Sequence, residues 1–190
     1  MRTLIVASLL LALSAGAAAQ ISSNGPVVAD YGKNIQSSDS TEAKIAREVR
    51  HELLMIPYYS LFDDLEYTVE GRDVTLSGAV TSEHSFLKDQ AANVVKRIEG
   101  VDKVTNNIHI LPPSALDDRV RHQVYEAIGR MDGLSKYFWE AAPSIHVIVE
   151  NQRVTLAGFV MSEGDKNMAG IAANGVPGVF QVTNNLRVTK

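Results

Sequence analysis

Histidine is the side chain best suited to metal ligation and to proton transfer near neutral pH. The chain has five: His51, His84, His109, His122 and His146. None stands in an H-E-x-x-H or comparable ligand spacing, so they read as a scattered surface set and not as a metal centre. The chain has no cysteine, which excludes thiolate zinc sites and thiol nucleophiles. There is no G-x-S-x-G elbow, no phosphate-cradling loop and no repeated carboxylate pair. The residues therefore point to no catalytic site and to no cofactor. What remains is binding chemistry. Lys136-Tyr137-Phe138-Trp139 sets a cation beside three rings, one of them the single tryptophan. Such rings can enter a membrane interface or anchor a protein contact. Equally they can seal two halves of a small fold, and the sequence favours that use because small domains are short of apolar area.

Charge narrows the partners. With 18 Lys and Arg against 22 Asp and Glu, the net charge is −4, which argues against nucleic acid as the main partner. The opening MRTLIVASLLLALSAGAAAQ has a basic start, a short apolar run and a small-residue end. It predicts a signal peptide over 1–19, cut before Gln20, with a retained anchor as the alternative. Without a cysteine to carry lipid, the mature chain is expected to be soluble in the periplasm. Residues 20–40, rich in Ser, Asn, Gly and Asp, predict a flexible leader.

The rest is written twice. VTLSGAVTSE (Val74–Glu83) returns as VTLAGFVMSE (Val154–Glu163). Ahead of each lies an apolar stripe at i, i+4, i+8, i+11, the signature of one helix face: Ile45, Val49, Leu53 and Ile56, then Val120, Val124, Ile128 and Met131. Asp39 with Glu42, and Ser114 with Asp117, resemble capping boxes. Alternating Tyr67–Val69 and Val74–Leu76 flank a turn at Gly71-Arg72. Val147–Val149 and Val154–Leu156 flank one at Asn151-Gln152. A second helix follows, marked by Leu87, Ala91, Val94 and Ile98 and ended by Gly100. Last come strands Val104–Ile108 and Val182–Leu186.

The spacing places a two-residue loss of the second copy inside its second helix. Gly164, Gly170, Gly175 and Pro177 predict that this helix is short and frail. It is read as packing closely on the other copy, or alternatively as a mobile, partner-responsive element. Leu111-Pro112-Pro113-Ser114 is a stiff connector. The expectation is an α+β protein of two tandem αββαβ domains, 41–112 and 113–190. Each is a three-stranded mixed sheet covered on one face by two helices.

Gly78 and Gly158 sit on strands, where glycine marks a bulge or a close backbone approach. They are read as letting a helix approach the sheet or letting the strand bend toward the helix beginning near Ser82 or Ser162. A ligand-approach site is the alternative. Asn106 and Asn184 share a face with apolar strand residues and are expected to bond to backbone.

Val74, Leu76, Gly78 and Val80, then Gly100, Val101, Val104 and Asn106, resemble the signature of the BON domain family. Val154, Leu156, Gly158 and Val160, then Gly178, Val179, Val182 and Asn184, repeat it. The resemblance implies a non-catalytic periplasmic or envelope protein linked to osmotic and envelope stress. Some members bind anionic phospholipid and some assist the passage of outer-membrane proteins. In lipid-binding double-BON members the first helix of the second domain is the contact surface. The corresponding helix here, Leu116–Met131, has Arg119 and Arg121 but also Asp117 and Asp118. The expected partners are thus envelope proteins, held in a chaperone-like or adaptor manner, or an anionic phospholipid surface. Arg119, Arg121, Lys136, Tyr137, Phe138 and Trp139 are the candidate contacts. The first copy carries more acid than base while the second is balanced, so lipid contact is expected on the second copy.

Overall fold

The computed structural model describes residues 25–26, 41–139 and 143–189. The expected signal peptide, nearly all of the expected leader and Asp39 lie outside them. Within the leader, Gly25–Pro26 forms a two-residue strand, β1.

The first copy begins with α1 (Thr41–Leu54), whose Ile45, Val49 and Leu53 are buried as the stripe predicts. A hairpin of β2 (Asp64–Glu70) and β3 (Asp73–Val80) follows. Then come α2 (Phe86–Val95), β4 (Lys103–Asn106) and β5 (His109–Ile110). The second copy repeats the order with α3 (Ala115–Gly129), β6 (Ile145–Glu150), β7 (Arg153–Val160), α4 (Glu163–Asn174), β8 (Gln181–Asn184) and β9 (Arg187–Val188). A 3-10 turn, Ser135–Phe138, lies between α3 and β6.

β2 pairs antiparallel with β3, and β4 and β5 both run parallel to β3. β6, β7, β8 and β9 repeat that mixed arrangement. A parallel neighbour needs a crossover, which α2 and α4 supply. Each copy has its own core: inward residues such as Leu65, Val74 and Leu76 meet Val49 of α1 and Leu87 of α2. Val147, Val154 and Leu156 likewise meet Val124 of α3 and Ala169 of α4. The α+β architecture read from the sequence is the observed one.

Three local expectations need correction. The last strand of each copy does not run straight through its asparagine. Asn106 Oδ1 accepts from Ile108 N at 3.2 Å, and Asn107 N donates to Leu76 O at 2.8 Å. This kink separates β4 from β5, and Asn184 makes the same kink with Leu186 N at 3.3 Å. The two residues absent from the second copy belong to the turn before the helix. Ser162 caps α4 directly, accepting from Asp165 N at 3.0 Å, whereas the first copy turns through Thr81–Ser85 before α2 starts at Phe86. Nor is α4 the shorter helix: it has 12 residues and α2 has 10. Its Gly170 faces its own sheet. A Cβ there would lie 2.8 Å from Asn184 Nδ2.

The Ser114 cap forms, with Asp117 N donating to Ser114 Oγ at 3.2 Å. The Asp117 carboxylate, however, turns to the β6–β7 hairpin and accepts from Asn151 N at 3.0 Å and Gln152 N at 2.8 Å. Both turn residues have positive φ, so this buried carboxylate pins a strained two-residue turn. Glu42 holds the equivalent turn of the first copy, accepting from Gly71 N at 3.4 Å.

Candidate functional site

The glycines of the repeated phrase do not admit a helix. A Cβ on Gly78 would stand 2.2 Å from Asp64 O, and one on Gly158 2.1 Å from Ser144 O. The close neighbour is the backbone at the start of the adjacent antiparallel strand. Their φ values of +101° and +107° exclude an ordinary side chain independently of space. Gly100 and Gly178 follow the second helix of each copy, beside Ile45 and Val120 respectively. Asn106 and Asn184 each clamp a helix: Asn106 Nδ2 donates to Lys88 O at 2.7 Å and Asn184 Nδ2 to Lys166 O at 2.8 Å.

The candidate contact residues separate into two groups. Arg121 is only 4% exposed. Its guanidinium donates to Val149 O at 2.7 Å and pairs with Asp118, so it closes the edge of β6 instead of facing solvent. Tyr137 is buried too; its hydroxyl accepts from Met161 N at 2.8 Å and donates to Asp165. Burial pushes the Tyr137 phenol up, with the Asp165 hydrogen bond adding to it, and the same bond holds Asp165 down. These bonds fasten the 3-10 turn to the start of α4. Arg119 and Trp139 remain exposed. Phe138 is half-buried against Tyr125, and Lys136 lies 3.5 Å from Asp165. Trp139, at 79% exposure, does not seal the copies together.

That seal is made by a segment of the first copy, residues 59–63. Leu61 and Phe62 pack against the second copy's core, and Leu61 O accepts from Val147 N at 2.8 Å. The Phe62 ring meets His122 of α3 edge-on, with centroids 5.0 Å apart. Asp63 organises the segment. Its carboxylate accepts from Ser60 Oγ at 2.7 Å and Thr81 N at 2.9 Å and lies 2.6 Å from His84 Nδ1. His146 crosses the junction: it is buried, its Nδ1 meets Asp63 O, and its ring stacks on Tyr59 at 5.2 Å. Burial lowers its pKa to about 4. Burial, with the Glu66 charge beside it, raises Asp64 to about 7, against a smaller opposing effect of Arg187. His84 and His122 face a shared cleft of about 460 Å³ with Glu83 and Asp118. Among the described residues no three potential ligands gather into a metal site.

Two αββαβ units, each with its glycine and asparagine in equivalent structural roles, are what a family assignment must explain. The BON domain model matches residues 41–112 and again 117–190. The chain belongs to the BON domain family. Osmotically-inducible protein Y of Escherichia coli (strain K12) is 30% identical over 127 residues, 65% of this chain. The match spans 61% of that relative. Two solved structures of CdsD, a structural protein of the type III secretion system of Chlamydia trachomatis, were also found. One, its C-terminal domain, has a TM-score of 0.31 at 14% identity, covering 76% of this chain and 65% of that one. The other has a TM-score of 0.26 at 11% identity, covering 75% and 91%. Such scores support no functional comparison.

In this BON protein the decisive residues that the repeat does not announce are Tyr59, Leu61, Phe62 and Asp63. Their signal was present: PYYSLFDD is an aromatic, aperiodic run between the first helix and the hairpin. Among the described residues, no helix is long and apolar enough to cross a membrane.

Proposed function

We propose that this double-BON protein acts in the bacterial envelope by holding protein clients, as a chaperone-like or adaptor module linked to osmotic stress. The observation that carries the reading is the set of large apolar side chains left in solvent on both copies. Tyr58, Trp139 and Phe180 are 76%, 79% and 74% exposed, and Met55, Met161 and Ile171 are nearly as open. Exposed rings and methionines adapt to many apolar partners. Three basic side chains of the second copy are already engaged: Arg121 with Asp118, Arg130 with Glu126 and Lys136 with Asp165. That weakens the attraction to an anionic bilayer, which grows with unpaired basic charge.

A second reading, peripheral binding to anionic phospholipid through the second domain, keeps one observation in its favour: the second copy leaves Trp139, Arg119 and Lys136 exposed. One comparison decides. A urea-unfolded β-rich protein is diluted with and without the purified chain while light scattering is followed, and the chain is sedimented with phosphatidylglycerol vesicles. Suppressed scattering without sedimentation supports client holding. Sedimentation with a blue shift of Trp139 fluorescence, and unsuppressed scattering, favours the lipid reading.

A further inference from the structure

A small cavity of about 230 Å³ lies between α3 and the 3-10 turn of the second copy. Three of its walls are rings: Tyr125 of α3, and Phe138 and Trp139 where the turn ends. The Tyr125 and Phe138 planes stand at 83° with centroids 5.0 Å apart, so they form a corner and not a flat stacking platform. Among the described residues the one cation found over a ring is Lys136 on Tyr137, so these three rings carry no cation of the chain itself. Glu126 and Arg130 also line the cavity, joined by a hydrogen bond of 2.7 Å. Gly129 lies between them in sequence and lines it too. A Cβ on Gly129 would meet nothing within 4 Å, and its φ is not positive. Neither crowding nor backbone geometry therefore calls for glycine there, although glycine weakens a helix relative to most residues. What its missing side chain does is keep the cavity open.

We propose that this cavity binds a small betaine: a zwitterion whose quaternary ammonium sits among the three rings and whose carboxylate meets Arg130. The site goes beyond the client-holding reading and does not rest on it. Ring faces are electron-rich and attract cations, and aromatic cages recognise quaternary ammonium groups. A primary ammonium carries three N–H donors that need acceptors, and the one carboxylate lining the cavity, Glu126, already accepts from Arg130. A quaternary ammonium has no donor to satisfy. The Arg130 guanidinium has five N–H donors in a planar fork, so it can take a carboxylate while still bonded to Glu126. The volume falls below the roughly 300–1,000 Å³ of sites for drug-sized ligands, which limits the occupant to a handful of atoms. With Trp139 largely in solvent, the affinity of so small a ligand is on the order of millimolar.

Trp139 is the single tryptophan, so its fluorescence reports the cavity directly. The full chain is titrated with glycine betaine at constant ionic strength, and a saturable change is expected. The carbon isostere 3,3-dimethylbutanoate keeps the shape and the carboxylate but loses the positive charge. It is expected to need at least about fivefold higher concentration, the loss of a cation–π contact. Gly129→Leu fills the cavity with a better helix former. Its urea midpoint is expected to be no lower than the parent's, while betaine binding weakens at least about tenfold. Arg130→Gln is expected to weaken betaine at least about threefold, while tetramethylammonium, which has no carboxylate, binds at least as tightly as to the parent. No saturable change with betaine, or an equal response to its carbon isostere, overturns the proposal. So does a folded Gly129→Leu chain that binds as the parent does. If Gly129→Leu fails to fold, Arg130→Gln carries the test, and unchanged betaine affinity overturns the proposal. A response to phosphatidylcholine vesicles with none to glycine betaine also overturns it, and assigns the rings to a lipid headgroup.

Discussion

Gly78 and Gly71 are both left-handed, at φ +101° and +64°, yet they differ in what surrounds them. A Cβ on Gly71 meets nothing within 4 Å, while one on Gly78 runs into Asp64 O. Gly71→Ala is expected to cost only about 1 kcal/mol, the price of left-handed backbone. Gly78→Ala adds a clash with backbone that cannot swing away, and about 3 kcal/mol or more is expected. Urea unfolding followed by circular dichroism measures both; near-equal losses would refute the steric account. Asn184→Asp removes the donor to Lys166 O and sets a carboxylate against that carbonyl, and Asn106→Asp does the same to Lys88 O. Each is expected to lose about 2 kcal/mol or more, whereas an exposed substitution such as Arg119→Ala should change stability by under about 0.5 kcal/mol. The sequence marked these glycines and asparagines because they recur. It did not show that β2, and not a helix, crowds Gly78, since a repeat identifies equivalent positions without naming their neighbours.

At the scale of elements, the apolar stripes of α1 and α3 and the two hairpins were legible, because burial of one face imposes a period that composition cannot hide. Strand breaks and helix starts were less so. The kink after Asn106 depends on a side-chain oxygen reaching Ile108 N, and nothing in V-T-N-N-I-H-I separates that from a continuous strand. For α4, glycine content suggested frailty, but the Ser162 cap, the Tyr137–Asp165 bond and the Asn184 bond to Lys166 O hold it. Amide exchange in residues 166–174 is therefore expected to be as slow as in α2. Tyr137→Phe, which removes the donor to Asp165, should speed exchange selectively in the first turn of α4. Exchange already fast throughout α4 in the parent protein would mean that the glycines outweigh these contacts.

At the scale of the whole molecule, the junction between the copies buries ionisable groups whose pH responses oppose each other. His146 is held to about pKa 4, below its ordinary 6.5. As pH falls from about 6.5 to 4, an unfolded chain takes up this proton and the folded one does not, so stability falls with falling pH. Asp64 is raised to about 7 from 3.8. As pH rises from about 4 to 7, the unfolded chain releases its proton while the folded one keeps it, so stability falls with rising pH. Across about pH 4 to 6.5 the two slopes have opposite sign and similar size, and the junction's contribution is nearly flat. Removing one group exposes the other. Asp64→Asn should gain stability relative to the parent as pH rises from 4 to 7, by up to about 4 kcal/mol for a shift of this size. His146→Gln should gain relative to the parent as pH falls from 6.5 to 4, by up to about 3 kcal/mol. Urea midpoints at pH 4.5, 5.5 and 7 measure both, read by circular dichroism because the exposed Trp139 is a poor reporter of folding. The comparison is within each variant across pH, so a fixed loss from repacking does not obscure it. A variant-to-parent difference that stays constant from pH 4.5 to 7 for both substitutions would mean that these side chains titrate in the folded protein as they do in water, and that the junction is wetter than its geometry shows.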